Sequence, residues 1–302
     1  MIQFANKAMV SELKKIWKEC FHDEDSYINF FFCEYFNDKT TLVYMEDEKP
    51  VSMLTLMPAK LHERTGIREV YYVYAVATLP EAQGRGYSSK LLYYANEITK
   101  NATFLQPATK ELESFYEKKG YLPTIARKSC VVTEKQLEEL EHDRLELEDI
   151  SDSELKVASL LREDRKPAIH ELMIRELTKE DSGLYKKIRD YKLSSVGYIE
   201  WEESVLAYAI KENALTGGKT LLIDDRYVAM VREYEGILYI REHTMPSDMV
   251  LKLAKQLLAK SSASECSIHL IRTDSLQVKD EQIVMSCFEV EKGNGYFNLA
   301  FE

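Results

Sequence analysis

LPEAQGRGYSSKLL, residues 79–92, joins a strand-like run, VYYVYAVAT (70–78), to a leucine-spaced run, KLLYYANEI (90–98). At the junction Gly84 and Gly86 bracket Arg85, with Gln83 before them and Tyr87, Ser88 and Ser89 after. A helix beginning here carries first-turn N–H groups without intrahelical partners, at the positive end of its macrodipole. Glycine permits backbone angles and close approaches that a Cβ blocks. The stretch therefore predicts a strand–turn–helix whose amides, from Arg85 to Ser89, are available to an anion such as a pyrophosphate, with Arg85 and Lys90 adding charge.

Other glycine-rich loops do not fit. GxGxxG would place Ser89 where its third glycine belongs, GxxxxGK[ST] is absent, and a GxSxG serine elbow meets Lys90 at its last position.

Working outward, 302 residues suggest two domains rather than one. Val10, Leu13, Trp17 and Phe21 recur at helical spacing over 7–21, with Asn6 as N-cap. The acidic turn Asp23-Glu24-Asp25 leads into an aromatic helix, SYINFFFCEYF. TTLVYM and VSMLTLM flank EDEKP as a hairpin, HERTG makes another turn, and ATFLQ is a short strand. Thr109 is expected to cap a helix that Gly120 stops, and ARKSCVVT is a closing strand. Residues 1–134 thus read as mixed α/β.

Residues 135–165 are charged and helix-prone, a connector with one candidate strand at LELEDI. From 166 to 302 a similar order returns: helices over LTKEDSGLYKKIRDY and EWEESVLAYAIKEN, the hairpin KTLLIDDRYVAMVREY and the strand GILYIREH. A helix over SDMVLKLAKQLLAK with Ser247 as N-cap follows, then the strands ECSIHLIR, QIVMSCF and YFNLAFE. This second half has no glycine or basic residue at its strand-to-helix turn, Thr244-Met245-Pro246.

A net charge of −11 argues against a nucleic-acid partner, since such binding needs Lys and Arg to neutralise phosphates, and is compatible with cationic substrates. No apolar run spans a bilayer, so no membrane partner is expected. The start of the chain does not read as a signal peptide. Five scattered cysteines without CxxC spacing fit reduced thiols in a cytoplasm, and the six histidines show no ligand spacing, so no metal is expected.

Gln83-Gly84-Arg85-Gly86-Tyr87-Ser88 resembles the (Gln/Arg)-x-x-Gly-x-(Gly/Ala) pyrophosphate loop of the GCN5-related N-acetyltransferase (GNAT) superfamily, with Ser88 in place of the last small residue. FYEKKGY (115–121) resembles that family's Phe-Tyr-x-x-x-Gly-Phe/Tyr motif, whereas Thr109 stands where many relatives have asparagine. The resemblance covers residues 1–134, which also resemble the first half of the enhanced-intracellular-survival group, one of the superfamily's tandem members. It implies a tandem GNAT fold: an acetyl-CoA-binding domain at 1–134 and a degenerate GNAT-like domain at 166–302.

It further implies acetyl-CoA as co-substrate, held by Gln83 to Ser89 and by backbone pairing at Val76, Ala77 and Thr78. Tyr116 is then the acid that protonates the departing thiolate. A phenol near pKa 10 is a chemically sensible donor if it lies within hydrogen-bond reach. The acceptor is expected to be the primary amine of a small molecule or peptide, drawn in by Asp23, Glu24 and Asp25. No general base is identified: Glu69, Tyr74 and the carboxylate of Glu302 all stand as candidates. Two other readings remain, a coenzyme A-binding sensor whose chemistry has lapsed and a tRNA-dependent aminoacyl transferase.

Overall fold

The computed structural model describes residues 1–139, 171–271 and 280–290. They form two compact units that do not follow chain order. One joins residues 1–127 to 178–215 and to the described residues from 281 onward; the other comprises the described parts of 128–177 and 216–280.

The first unit opens with strand β1 (Ile2–Phe4) and helices α1 (Val10–Phe21) and α2 (Asp25–Glu34). Asn6 accepts from the Ala8 N–H, as its capping role requires. Helix α1 buries Leu13, Ile16 and Trp17, and α2 buries Ile28, Phe31 and Phe32. His22, in left-handed conformation at φ 59°, closes α1 and frees the chain for the acidic turn.

Strands β2 (Thr41–Glu46) and β3 (Lys49–Glu63) form the expected hairpin, turning on Asp47 and Glu48, both with positive φ as a two-residue turn demands. The HERTG turn is shorter than its sequence suggests, because β3 runs through Glu63 and β4 (Gly66–Thr78) starts at the glycine. Helix α3 (Tyr87–Ile98), β5 (Thr103–Leu105), α4 (Lys110–Glu117) and β6 (Leu122–Thr133) follow. Thr109 occupies the N-cap position of α4, and its carbonyl accepts from the Leu112 N–H, but its side chain bonds no helix amide; the hydroxyl goes to the Glu111 carboxylate and lowers that group's pKa.

The sheet of this unit runs β1-β2-β3-β4-β5, with only β4 and β5 parallel, and β13 (Asp280–Ser286) pairs beyond β5. On one face α3 and α4 pack through Leu91, Leu92, Ala95 and Tyr116 against Leu54 and Val73. The other face receives α1 and α2, and the unit takes in a segment from the second half of the chain: α5 (Ser182–Leu193), β8 (Tyr198–Trp201), which joins the sheet, and α6 (Glu203–Leu215). Strand β8 corrects the sequence reading, which began a helix at Glu200. Tyr198 to Trp201 pair antiparallel with His62 to Ala59 of β3 instead. The fully buried Trp201 explains this, its indole packed on Tyr72 and Phe104 at centroid separations of 6.1 and 6.3 Å.

The second unit contains β7 (Ile174–Leu177), a strand the sequence reading missed, then β9 (Lys219–Ile223), β10 (Tyr227–Tyr234), β11 (Ile237–His243), α7 (Ser247–Leu258) and β12 (Glu265–His269). Its order is β12-β11-β10-β9-β7, with residues 129–133 of β6 beside β12 and only β11–β12 parallel. Three antiparallel strands, a helix and a parallel strand repeat the β2-β3-β4-α3-β5 order of the first unit. The N-cap of α7 is Pro246, and Ser247 is its first helical residue, which corrects the capping assignment. Residues 135–139 are helical, while LELEDI, YFNLAFE and Glu302 lie outside the described residues.

Candidate active site

The glycine turn adopts the conformation that its residues suggest. Gly84 and Gly86 both have φ +76°, in the left-handed region, and Gly86 is the N-cap of α3. A Cβ built at either glycine meets no atom within 4 Å, so the turn opens onto free space and it is the backbone angle that calls for glycine. No side chain caps α3 among the described residues, which leaves the helix N-terminus available to an external acceptor. Gln83 lies just before, its amide donating to the Thr78 carbonyl at 3.1 Å.

Arg85 behaves differently from the sequence expectation that it adds free charge. Its guanidinium holds both carboxylate oxygens of Glu46 at 3.1 and 3.2 Å, and Tyr87 donates to the same carboxylate at 2.6 Å. Tyr87 stacks on Tyr44 (4.2 Å, 17°), and the Lys90 ammonium lies over both rings. Glu46 thus pins the turn from the end of β2. The pair is exposed and contributes order more than energy. Positive potential at the turn comes from amides and from Lys90.

The strand that feeds the turn is bulged. Met53 faces Ala77 but Thr55 faces Tyr74, so Leu54 alone opposes Ala75 and Val76, and Ala75 takes φ +52°. On its other edge β4 pairs with β5 only at Tyr71 and Tyr72. From Val73 to Thr78 the two strands make no registered pair, and Val76, Ala77 and Thr78 lie along that parted edge. The Thr78 carbonyl also accepts from the Cys20 thiol.

Tyr116, 8% exposed, packs against Phe115 and Tyr121 on the α3–α4 face. Its hydroxyl has no hydrogen-bond partner among the described residues, and burial pushes its pKa up to about 12. It is protonated at neutral pH and competent to donate. Neighbouring Tyr121 is committed instead, bonded to Thr103 and Asn96.

On the α1–α2 face Asp23 is half-buried and accepts from the Trp17 indole N–H at 2.7 Å. Glu24 and Asp25 are exposed, and Asp25 pairs with Lys18 at 3.0 Å. Of the acidic turn, only Asp23 therefore joins the aromatic group around Trp17, which includes Tyr27, Phe31 and Tyr74. Glu69 is exposed and faces Lys60 across the ladder, away from this group.

Behind the aromatic group lies a residue that sequence reasoning missed. Glu212 of α6 is 4% exposed and accepts from the hydroxyls of Tyr27 and Tyr208. The one sequence signal was that α6 is apolar nearly all round, so that a carboxylate there must be buried against something. Among the described residues no three His, Cys, Asp or Glu side chains gather as a metal site, and no helix is long and apolar enough to cross a membrane.

Residues 1–124 match the family model of the acetyltransferase (GNAT) domain. No curated protein matches the chain by sequence. Among solved structures, a GCN5-related N-acetyltransferase from Kribbella flavida superposes with TM-score 0.68 at 14% identity, covering 94% of this chain and 71% of that one. Eis1 from Mycobacterium abscessus gives TM-score 0.63 at 10% identity, covering 95% and 74%. A protein of unknown function from Enterococcus faecalis V583, described as a probable N-acyltransferase, gives 0.64 at 14%, covering 94% and 71%. These likenesses establish the fold, mixed α/β and of the kind shared by GNAT proteins, across most of the chain. Residues 1–124, with their glycine turn between β4 and α3, are thus similar to the acetyltransferase (GNAT) domain, a domain of acyltransferases.

Proposed function

We propose that the protein transfers an acetyl group from acetyl-CoA to the primary amine of a small molecule or peptide, by direct attack in a ternary complex. The observation that carries this reading is the uncapped, outward-open glycine turn at the end of a strand that has parted from its parallel neighbour. The amides at the start of α3, from Arg85 to Ser89, with Gln83 and Gly84, suit the diphosphate. The parted edge at Val76, Ala77 and Thr78 suits a pantetheine arm, because an extended amide chain can pair there as a missing strand would. The bound thioester supplies an activated acyl group. The sequential division into a catalytic domain at 1–134, a connector at 135–165 and a degenerate copy at 166–302 belongs to the same proposal.

Tyr116 is the donor to the departing sulfur. A phenol at about 12 is a weaker acid than a thiol near 8.5 by about 3.5 pKa units, about 5 kcal/mol. Its contribution is therefore a hydrogen bond that strengthens as charge develops on sulfur, with the thiol drawing its final proton as the site rehydrates. Asp23 offers negative potential to an incoming ammonium beside Trp17 and Tyr74.

The test follows thiol release from acetyl-CoA in the presence of an amine panel, for the parent protein and for Tyr116→Phe. Turnover that falls by about 10²-fold or more in the variant, with coenzyme A affinity kept, is the expected result. Binding without thiol release from any amine would instead leave the sensor reading, and unchanged turnover in the variant would remove Tyr116 from the chemistry.

A further inference from the structure

We propose that Glu46 is an internal competitor at the cofactor turn: its carboxylate holds the Arg85 guanidinium and yields it to a phosphate group of an arriving coenzyme A. Glu46 then limits how tightly the cofactor is held. The proposal rests on the acetyl-CoA reading above and adds to it a residue outside the glycine motif.

Glu46 is the last residue of β2, and its partners are the two residues that flank Gly86. Its Oε1 accepts from the Tyr87 hydroxyl at 2.6 Å, while Oε1 and Oε2 lie 3.2 and 3.1 Å from Arg85 Nη1. A group that accepts at both oxygens is the ionised carboxylate, since the acid form carries a proton on one of them. The two holds are unequal. The Tyr87 contact has the length of an O–H···O⁻ bond, about 2.5–2.7 Å. The Arg85 contact is longer than the roughly 2.7–2.9 Å of a good charge-assisted N–H···O bond, and one nitrogen is shared between two oxygens where a fork would give two parallel bonds. Tyr87 therefore anchors Glu46, and Arg85 is the loose partner.

The guanidinium is within reach of a dissolved anion, because the Arg85 side chain is 53% exposed and that of Glu46 33%. It also keeps other neighbours: Nη2 donates to the Glu81 carbonyl at 3.3 Å, and the Tyr87 hydroxyl stands close by. Leaving Glu46 costs Arg85 one exposed ion pair, and such pairs are weak. A phosphate gives back more, since its oxygens suit two parallel N–H bonds from the planar fork. The place is right as well. Arg85 lies between the two left-handed glycines, and its own amide is the first of those proposed for the diphosphate, so an anion seated there is within the span of its side chain.

The exchange leaves the start of α3 intact. Glu46 retains Tyr87, and Tyr87 retains its stack on Tyr44. The Lys90 ammonium, 5.3 and 5.4 Å from the centroids of those two rings, keeps a cation at the turn whichever partner Arg85 takes. Glu46 touches no reacting atom and acts through Arg85.

The experiment is calorimetric titration of coenzyme A into the parent, Glu46→Gln, Arg85→Gln and the double variant. Glutamine still accepts from Tyr87, so the turn and Tm are kept while the charge that holds Arg85 is removed. Glu46→Gln is expected to bind coenzyme A about 2–5-fold tighter than the parent, the worth of one exposed ion pair. Arg85→Gln binds more weakly, and in its background Glu46→Gln brings no gain. Weaker binding by Glu46→Gln would overturn the proposal and make Glu46 an organiser of the turn. Unchanged binding, or an equal gain with and without Arg85, would overturn it too. Coenzyme A that binds none of the four proteins refutes the acetyl-CoA reading itself, an outcome distinct from a parent that binds and a variant that does not differ.

Discussion

Replacing Gly86 by valine separates the conformation of the turn from the stability of the fold. At φ +76° an L-residue is penalised by about 1–2 kcal/mol, somewhat more if β-branched, but its Cβ meets no protein atom within 4 Å. The cost is therefore local, a minor share of the roughly 5–15 kcal/mol typical of folded proteins. A drop in Tm of a few degrees is expected. Relief of that strain turns Gly86 toward right-handed angles and redirects the amides that follow it. Two charge-assisted hydrogen bonds lost, at about 1.5–3 kcal/mol each, weaken coenzyme A binding by about 10²–10⁴-fold. Isothermal titration of coenzyme A into both proteins measures this. Gly236→Val is the control, because Gly236 has φ +77° and equally open surroundings in the β10–β11 turn of the other unit. It should lose the same few degrees and no affinity. A Gly86→Val protein that binds as the parent does would refute the reasoning.

Two further outcomes follow from packing and titration. Trp201→Ala should destabilise the first unit by about 3–5 kcal/mol, read by denaturant unfolding, since the indole is fully buried on Tyr72 and Phe104; a loss under 1 kcal/mol would mean that β8 adds little to the sheet. His243, 3% exposed in the second unit, has its pKa lowered to about 4 by burial. Its contribution to stability is complete above about pH 6.5 and is lost as pH falls toward 4, about 3 kcal/mol in all. Unfolding free energies across that window should fall for the parent and fall less for His243→Gln.

The parts of this fold that sequence made legible are those whose causes are local. Gly84 and Gly86 announce positive φ angles, Asn6 announces a cap, and the leucine spacing of α3 announces its buried face. Tyr116 stands in a motif on one short helix, and its burial there follows from that helix's apolar face. What stayed hidden depends on distant partners. Glu212 meets Tyr27 across 185 positions of sequence, and nothing around either residue names the other. Glu46 reaches Arg85 across 39 positions, which turned an expected free cation into a bridled one. Strand β8 is four residues long and runs straight into α6, so helical spacing from Glu200 onward outweighed the need to bury Trp201 on a sheet edge.

The interleaved make-up of the first unit bears on how the protein is synthesised. Residues 1–127 leave the ribosome before two later parts of their unit, 178–215 and the described residues from 281 onward; the first of these is finished after 88 more residues, about 4–18 s at ~5–20 residues per second. During that interval the places later covered by β8 and α6, including Ala59, Tyr72 and Phe30, have no native cover. A nascent chain halted at residue 134 would therefore be a client for chaperones, since its unit is finished only when the later segments have been made.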